Sequence, residues 1–458
     1  MTKVRADQED CTATSHEQFH KPELSKRSHH FRVNPAFFGV KSVIMADPYD
    51  AVSNPNGVLS IGVAHNILVS DIMCEKIDQI NKKHKTDPVD LDYTDYTGSP
   101  QFKVALAHML KKHVFRTKHQ VEPKHVVAFN GAVSIIENVM AALCDDNEYV
   151  MIPAPMYHAF ENDINKRFNC RVLPMHMAYD PEINEFVIDK SIAQRTLNQA
   201  REKGLNVRAF LLCQPNNPTG DIYHREIIEW LIDWTAKEGI HFISDEVYAL
   251  SVFTSSPTPF ISAGEIMLEA LNEKSPSLRH HDYSHVHIIY SLSKDFTLNG
   301  FRVGVLYTHH IDLLETMRAV GMYHEISTQS QTLLTHMLLD DEFVEYFTKT
   351  NQERLTNTYV QAAAILDKYN IPFVKPNAGV FLWINFEHLI RKKLKKQEID
   401  MVDEKLFWDG MLLQAKVYLP AGHFFHCDIP GWFRLCFTCK SLSIVETCVK
   451  RIVDWANL

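Results

Sequence analysis

Between about residues 70 and 325, short apolar runs alternate with stretches whose apolar positions recur at helical spacing. HVVAFN, EYVMIPA, RVLPMHM, RAFLLCQP, IHFISDE and HVHIIYSLS are the runs, and each ends in polar or turn residues. They read as buried strands. DIMCEKIDQINKK and FKVALAHMLKKH carry the helical period. Strands alternating with helices predict an α/β fold, with a mostly parallel central sheet flanked by helices. After about residue 330 the texture changes. SQTLLTHMLLDDEFVEYFTKTNQERLTNTYVQAAAILDKY predicts a long helical region, and IPFVKPNAGVFLWINF and GWFRLCFTC a second set of strands. The expected division is a polar tail (1–30), a segment packing with the small domain (31–75, where NGVLSIGVA reads as a strand), a large domain (76–325) and a smaller α+β domain (326–458). Segment 255–285, rich in Ser, Pro and His, reads as an excursion from the sheet.

In parallel sheets, ligands gather beyond the C-terminal strand ends, and the polar clusters fall there. NGAV follows HVVAF, PAPMY follows EYVMI, NNPTG follows RAFLLCQ, DEVY follows IHFIS, and SLSK follows HVHIIY. Lys294, just past an apolar strand, is a candidate for covalent chemistry, because a desolvated amine attacks carbonyls. Alone it would read as a surface lysine. Ser291 and Arg302 can donate to a phosphate, and Gly300 and Gly304 allow close backbone approach. Asp245 ends a strand where a carboxylate needs a cationic partner, and a protonated pyridine nitrogen would be one. Tyr248 can turn its hydroxyl to the same ligand. Asn217 offers an amide to a phenolic oxygen, and is also a plain turn residue before Pro218. The N–H groups of Ala132 and Val133 open a helix and could face a phosphate; an ordinary helix start looks the same. Tyr157 could stack on a flat ring or simply belong to the core. Together these residues describe a socket for pyridoxal 5′-phosphate.

Composition narrows the alternatives. The net charge of −9 argues against nucleic acid or anionic membrane as a partner. No apolar run approaches the ~20 residues of a membrane span, and the N-terminal stretch lacks the apolar core of a signal peptide. Nine cysteines, scattered from Cys11 to Cys448, suit reduced thiols and a cytoplasmic location. Cys436 and Cys439 have CxxC spacing, but they lie in a strand-like run with no second pair, so they read as core thiols. None of the 25 histidines has HExxH spacing, and no GxGxxG or P-loop motif appears.

With these residues in view, the chain resembles the fold type I pyridoxal-phosphate enzymes of the class I/II aminotransferase superfamily. More narrowly, it resembles the 1-aminocyclopropane-1-carboxylate (ACC) synthase branch. The stretches that carry the resemblance are NPNGVLSIGVAHN, DYTGSPQFKVALAHML, IPAPMYHAFENDINKR, QPNNPTG, SDEVYALSVF, SLSKDFTLNGFRVG, NAGVFLW and PGWFRLCF, from about residue 37 to the C-terminus. The resemblance implies that Lys294 holds the cofactor as a Schiff base and shuttles the substrate Cα proton. It implies that Asp245 pairs with the ring nitrogen and that Tyr248 and Asn217 bond the phenolic oxygen. Tyr157 would stack on the ring, while Ser291, Arg302 and the amides of Ala132 and Val133 bind phosphate. Tyr96 would reach the phosphate of a neighbouring subunit, which implies a homodimer with shared active sites. Arg434 would clamp the α-carboxylate of an amino-acid substrate, with Ala64 beside it, and Gly379 matches the small-domain glycine of the NAG motif.

Several positions depart from the family pattern. GVAHN stands for GLAEN, so His65 replaces a glutamate and offers no permanent negative charge to a sulfonium substrate such as S-adenosylmethionine. Val133 replaces threonine, HAF follows Tyr157 in place of PGF, and LNGF replaces LPGF. The expected activity is transamination of free α-amino acids. ACC synthesis or β/γ-elimination is the alternative, and a fold-retaining binding protein without turnover is the alternative of another class.

Overall fold

The computed structural model describes residues 35–273 and 282–458, with Ser25 and Ser28 ahead of them. The tail expected over 1–30 otherwise lies outside the described residues, as does 274–281 of the expected excursion. Seven strands form the main sheet: β1 (Val126–Phe129), β2 (Tyr149–Ala154), β3 (Arg171–His176), β4 (Val207–Cys213), β5 (His241–Asp245), β6 (Val286–Ser291) and β7 (Gly304–Thr308). Their order is β1-β7-β6-β5-β4-β2-β3. The six apolar runs read from the sequence are β1 to β6. The seventh strand, in the VGVLYT stretch after the arginine, was not anticipated. It runs antiparallel between β1 and β6, and all five of its residues are buried.

Helices cover both faces of this sheet. The helix Ala132–Leu143 turns Ile135, Val139 and Met140 onto one face, against Val127, Ile152 and Leu306. On the other face Phe102, Leu106 and Leu110 pack with Phe210, Phe242 and Ile288. These alternating strand residues seal a sheet buried on both sides, as a parallel sheet requires.

A second sheet, β8 (Phe373–Val374), β9 (Phe381–Asn385) and β10 (Trp432–Cys436), is antiparallel. The long helical region before it is two helices, Thr328–Leu338 and Asp341–Lys368. The break falls at Asp340, whose carboxylate caps the second helix by accepting from the Phe343 N–H at 3.1 Å. Leu59–Ser60 pairs in parallel with Val417–Tyr418. Val58, Leu59 and Ile61 pack into one core with Phe381, Phe433 and Val449. Among the described residues, no helix is long and apolar enough to cross a membrane.

Candidate active site

Strand register gathers the site. Phe129, Gly304 and Ser291 lie side by side across β1, β7 and β6, and Asp245 at the end of β5 pairs with Cys213 and Ile289. The chain leaves the parallel strands and enters antiparallel β7 at this rim, so the loop residues converge on one cavity of about 260 Å³. Ala132, Val133, Tyr157, Asn217, Asp245, Tyr248, Ser291, Lys294 and Arg302 all line it. A second chamber of about 450 Å³ shares Tyr157 and Lys294 with the first, and adds Ala64 and Arg434. Tyr96 lines neither chamber; it is 43% exposed, on the loop before the helix Pro100–Met109.

Lys294 sits on a four-residue helix, Leu292–Asp295. Its Nζ donates to the Ala64 carbonyl at 2.7 Å. Burial, with Arg434 adding positive charge, lowers its pKa to about 8, which makes the neutral, nucleophilic amine accessible near neutral pH. The neighbouring Asp295 fixes this helix from behind. Its carboxyl accepts from the Leu250 N–H at 2.9 Å, the Ser251 hydroxyl at 2.6 Å and the Tyr290 hydroxyl at 3.0 Å. The lysine is thereby tied to the turn that carries Tyr248.

Asp245 is 5% exposed, and its Oδ1 is sealed from solvent without a partner among the described residues. Burial raises its pKa to about 7. An unpaired acid aimed at a cavity awaits a cation or a donor. At the other end, the helix Ala132–Leu143 begins at Gly131 with φ 116° and no side-chain cap, so its first N–H groups stay open to an anion. A Cβ on Gly304 would lie 2.3 Å from the Gly131 carbonyl carbon and 2.4 Å from Ala132 N. Only glycine lets β7 approach the cup this closely. A Cβ on Gly131 would lie 2.3 Å from Arg302 Nη2, so the guanidinium borders the same cup.

Two placements differ from the sequence reading. The Ser291 hydroxyl accepts from the Ser293 N–H at 3.1 Å and donates to the Val303 carbonyl at 2.8 Å. It therefore caps the lysine's helix instead of offering a free donor. Asn217 Oδ1 accepts from Arg434 Nη1 at 2.8 Å, so its amide oxygen orients the arginine. Arg434 is 1% exposed, donates from Nη2 to the Gly62 carbonyl at 2.7 Å, and lies over the Phe381 and Phe425 rings. Its Nε has no partner among the described residues.

The sequence reading missed Ser293, Asp163 and Asn299 in the first chamber and His158 in the second. Ser293 was visible as the second hydroxyl of SLSK. Asp163 is an acid on the short helix Phe160–Asn165, and nothing in its spacing marks it. Burial, then the charges of Asp245 and Glu137, raises its pKa to about 7. His65 lines neither chamber; its carbonyl accepts from the Thr438 hydroxyl at 2.7 Å.

A pyridine aldehyde with a phosphate arm matches these groups end to end. The orphaned acid suits its ring nitrogen, the lysine its aldehyde, and the glycine-lined cup its phosphate. A doubly covered sheet of this order with such a rim is that of the pyridoxal-phosphate-dependent enzymes of fold type I. The model of the aminotransferase class I and II family matches residues 61–452, and the chain belongs to that family. It is 32% identical over 436 residues to 1-aminocyclopropane-1-carboxylate synthase 7 of Arabidopsis thaliana, covering 93% of each chain. With 1-aminocyclopropane-1-carboxylate synthase 6 of Oryza sativa subsp. japonica it shares 32% over 420 residues, 89% of this chain and 74% of that one. Among solved structures, a Thermus thermophilus aspartate aminotransferase single mutant superposes with a TM-score of 0.74 at 17% identity. That match covers 95% of this chain and all of the other. The aspartate aminotransferase of Thermotoga maritima superposes with a TM-score of 0.68 at 21% identity, with the same coverage. The protein is a pyridoxal-phosphate-dependent, ACC synthase-like enzyme.

Proposed function

We propose that the protein is an aminotransferase acting on free α-amino acids. The reading is carried by one arrangement: Lys294 lines both chambers, between the orphaned Asp245 carboxylate in one and the buried Arg434 guanidinium in the other. Pyridoxal phosphate, when bound, supplies an aldehyde to capture the amine and a ring to take up the Cα electron pair. Asp245 holds the ring nitrogen protonated. Tyr248 and the free Nδ2 of Asn217 bond the phenolic oxygen, and Tyr157 covers the ring face. Ser293, Arg302 and the Ala132 and Val133 N–H groups hold the phosphate, with Ser291 positioning Ser293. Arg434 binds the substrate α-carboxylate in a charge-assisted fork beside Ala64, and the freed Nζ of Lys294 takes the Cα proton. Exposed Tyr96 is offered to the phosphate of a second copy, so the working unit is a homodimer in the cytoplasm. The division 31–75, 76–325 and 326–458 then places the cofactor in the large domain and Arg434 in the small one.

Transamination is favoured over a lyase reaction on a sulfonium substrate because, among the described residues, no acid lines the substrate chamber, and position 65 holds histidine. The relatives' names keep ACC synthesis as the second reading. Purified, cofactor-saturated protein mixed with an amino-acid panel should move its absorbance from the violet edge of the visible to the ultraviolet, and borohydride should fix the cofactor to Lys294. Cyclopropane product from S-adenosylmethionine, with no such move for any amino acid, would reverse the assignment in favour of the second reading.

A further inference from the structure

His158 occupies the substrate chamber, yet none of the roles above uses it. It lines that chamber with Tyr157, Lys294 and Arg434, and its ring meets Tyr157 and Phe425 edge-on at 5.1 and 5.3 Å. Neither ring nitrogen forms a hydrogen bond among the described residues, and only Nδ1 is sealed from solvent without a partner. A buried lone pair without a partner is tolerated better than a buried N–H. The tautomer that leaves Nδ1 bare puts the proton on Nε2, the nitrogen a ligand can reach. Burial, with the positive charges of Arg434 and Lys294, lowers the imidazole pKa to about 3, so the ring is neutral. The chamber wall is otherwise apolar on the side of Val40, Ile44 and Met45, carries Lys41 at its exposed edge, and contains no acid among the described residues.

We propose that His158 reads the substrate's side chain, and that the side chain it selects carries an acceptor oxygen, carboxylate or amide. The inference deepens the amino-acid reading and rests on it. Lys294 is committed to the cofactor and Arg434 to the α-carboxylate, so the Nε2–H of His158 is left for the rest of the substrate, beside the hydroxyls of Ser60 and Tyr418 and the Lys41 amine at the exposed edge. A cationic or sulfonium side chain would meet Lys41 and Arg434 with no counter-charge. A bare hydrocarbon side chain would leave the donor unpaired.

The test compares wild type with His158→Phe, which keeps the aromatic packing and removes the donor, and His158→Asn, which returns one. Aspartate, glutamate, asparagine and glutamine are run against leucine, methionine, lysine and S-adenosylmethionine by cofactor absorbance. The wild type should favour the oxygen-bearing group. His158→Phe should lower kcat/KM on that group about tenfold or more, mainly through KM, with leucine and methionine within about twofold. His158→Asn should recover part of the loss. A second readout needs no turnover: succinate should raise the melting temperature of wild type more than butyrate does, and the difference should vanish in His158→Phe. An equal fall on every substrate would make His158 merely structural and overturn the proposal, as would a preference for apolar or cationic side chains. If no amino acid reacts, the functional reading fails, while succinate performing no better than butyrate overturns the His158 proposal separately.

Discussion

Asp245 has its strongest measurable consequence in the cofactor-free protein. Its carboxyl is carried from 3.8 to about 7, first by burial, against the Val247 N–H and the charge of Lys294, which both pull it down. The unfolded chain keeps the ordinary value, so the folded state holds this proton longer. Stability is therefore unaffected below about pH 4, falls as pH rises through the window from 3.8 to about 7, and stays at the lower level above it. A rise from 3.8 to about 7 amounts to ~4 kcal/mol at ~1.4 kcal/mol per pH unit. Water in the 260 Å³ cavity screens part of that, leaving about 2–4 kcal/mol. Asp245→Asn removes the titration and keeps the acceptor for Val247. It also relieves Asp163, which the Asp245 charge helps to push up.

Urea denaturation of stripped wild type and stripped Asp245→Asn, from pH 4 to pH 8, measures this directly. The two should match near pH 4, and the variant should be the more stable by about 2–4 kcal/mol at pH 8. Glu246 and Asp295 are also raised to about 7 by burial, but they are common to both proteins and cancel in the difference. Adding pyridoxal phosphate should reverse the order, because the wild-type carboxylate then pairs with a ring cation that the amide cannot match. A difference that stays flat across the pH range, or an amide variant that is the less stable when stripped, would refute the assignment of Asp245 as an acid kept waiting for a cation.

Gly304→Ala should weaken cofactor affinity by at least tenfold in an absorbance titration, because its Cβ would fall 2.3 Å from the Gly131 carbonyl carbon and the cup must open to admit it. Asn217→Ala removes the acceptor of a charge-assisted hydrogen bond to Arg434. At ~1.5–3 kcal/mol for such a bond, KM for the amino acid should rise at least tenfold, with a smaller change in cofactor affinity. Asp295→Asn keeps the buried volume but puts a donor in place of one of the two acceptor oxygens, facing either the Ser251 hydroxyl or both the Leu250 N–H and the Tyr290 hydroxyl. It should cost about 2–3 kcal/mol of stability in denaturant and slow borohydride labelling of Lys294.

The strands that carry the site were legible because a sheet covered on both faces writes itself as continuous apolar runs. That signal placed Asp245 and Ser291 at strand ends and Lys294 just past one. β7 escaped because GVLYT follows the arginine loop without turn residues to set it off. It reads as the tail of a motif, although both of its neighbours in the sheet come from elsewhere in the chain. The partition of hydrogen bonds was beyond the sequence. Ser291 and Asn217 are the residue types a phosphate or a phenolic oxygen would want, but each spends its oxygen on protein groups 2 to 217 residues away. His158 was visible only as a departure in HAF. That it stands in the substrate chamber follows from the approach of the helix Pro35–Ala46 and the Gly62–Ala64 turn from outside the alternating pattern.

That turn ties together two sides of the second chamber. The Gly62 carbonyl accepts from Arg434 Nη2 at 2.7 Å and the Ala64 carbonyl from Lys294 Nζ at 2.7 Å, so both ends of the substrate site rest on carbonyls two residues apart. The same segment is held along β10: the Ile61 carbonyl accepts from the Cys436 N–H at 2.9 Å, and the His65 carbonyl from the Thr438 hydroxyl at 2.7 Å. A buried guanidinium and a buried amine repel each other, and each lowers its cost by taking a carbonyl dipole. Were Lys294 engaged by the cofactor, its bond to the Ala64 carbonyl would be exchanged, on the backbone segment that also carries the Gly62 acceptor of Arg434. In this arrangement residue 65 bears on the site through the path of its backbone; its side chain lines neither chamber. Restoring a glutamate there would supply a negative charge without guaranteeing that the charge reaches the chamber.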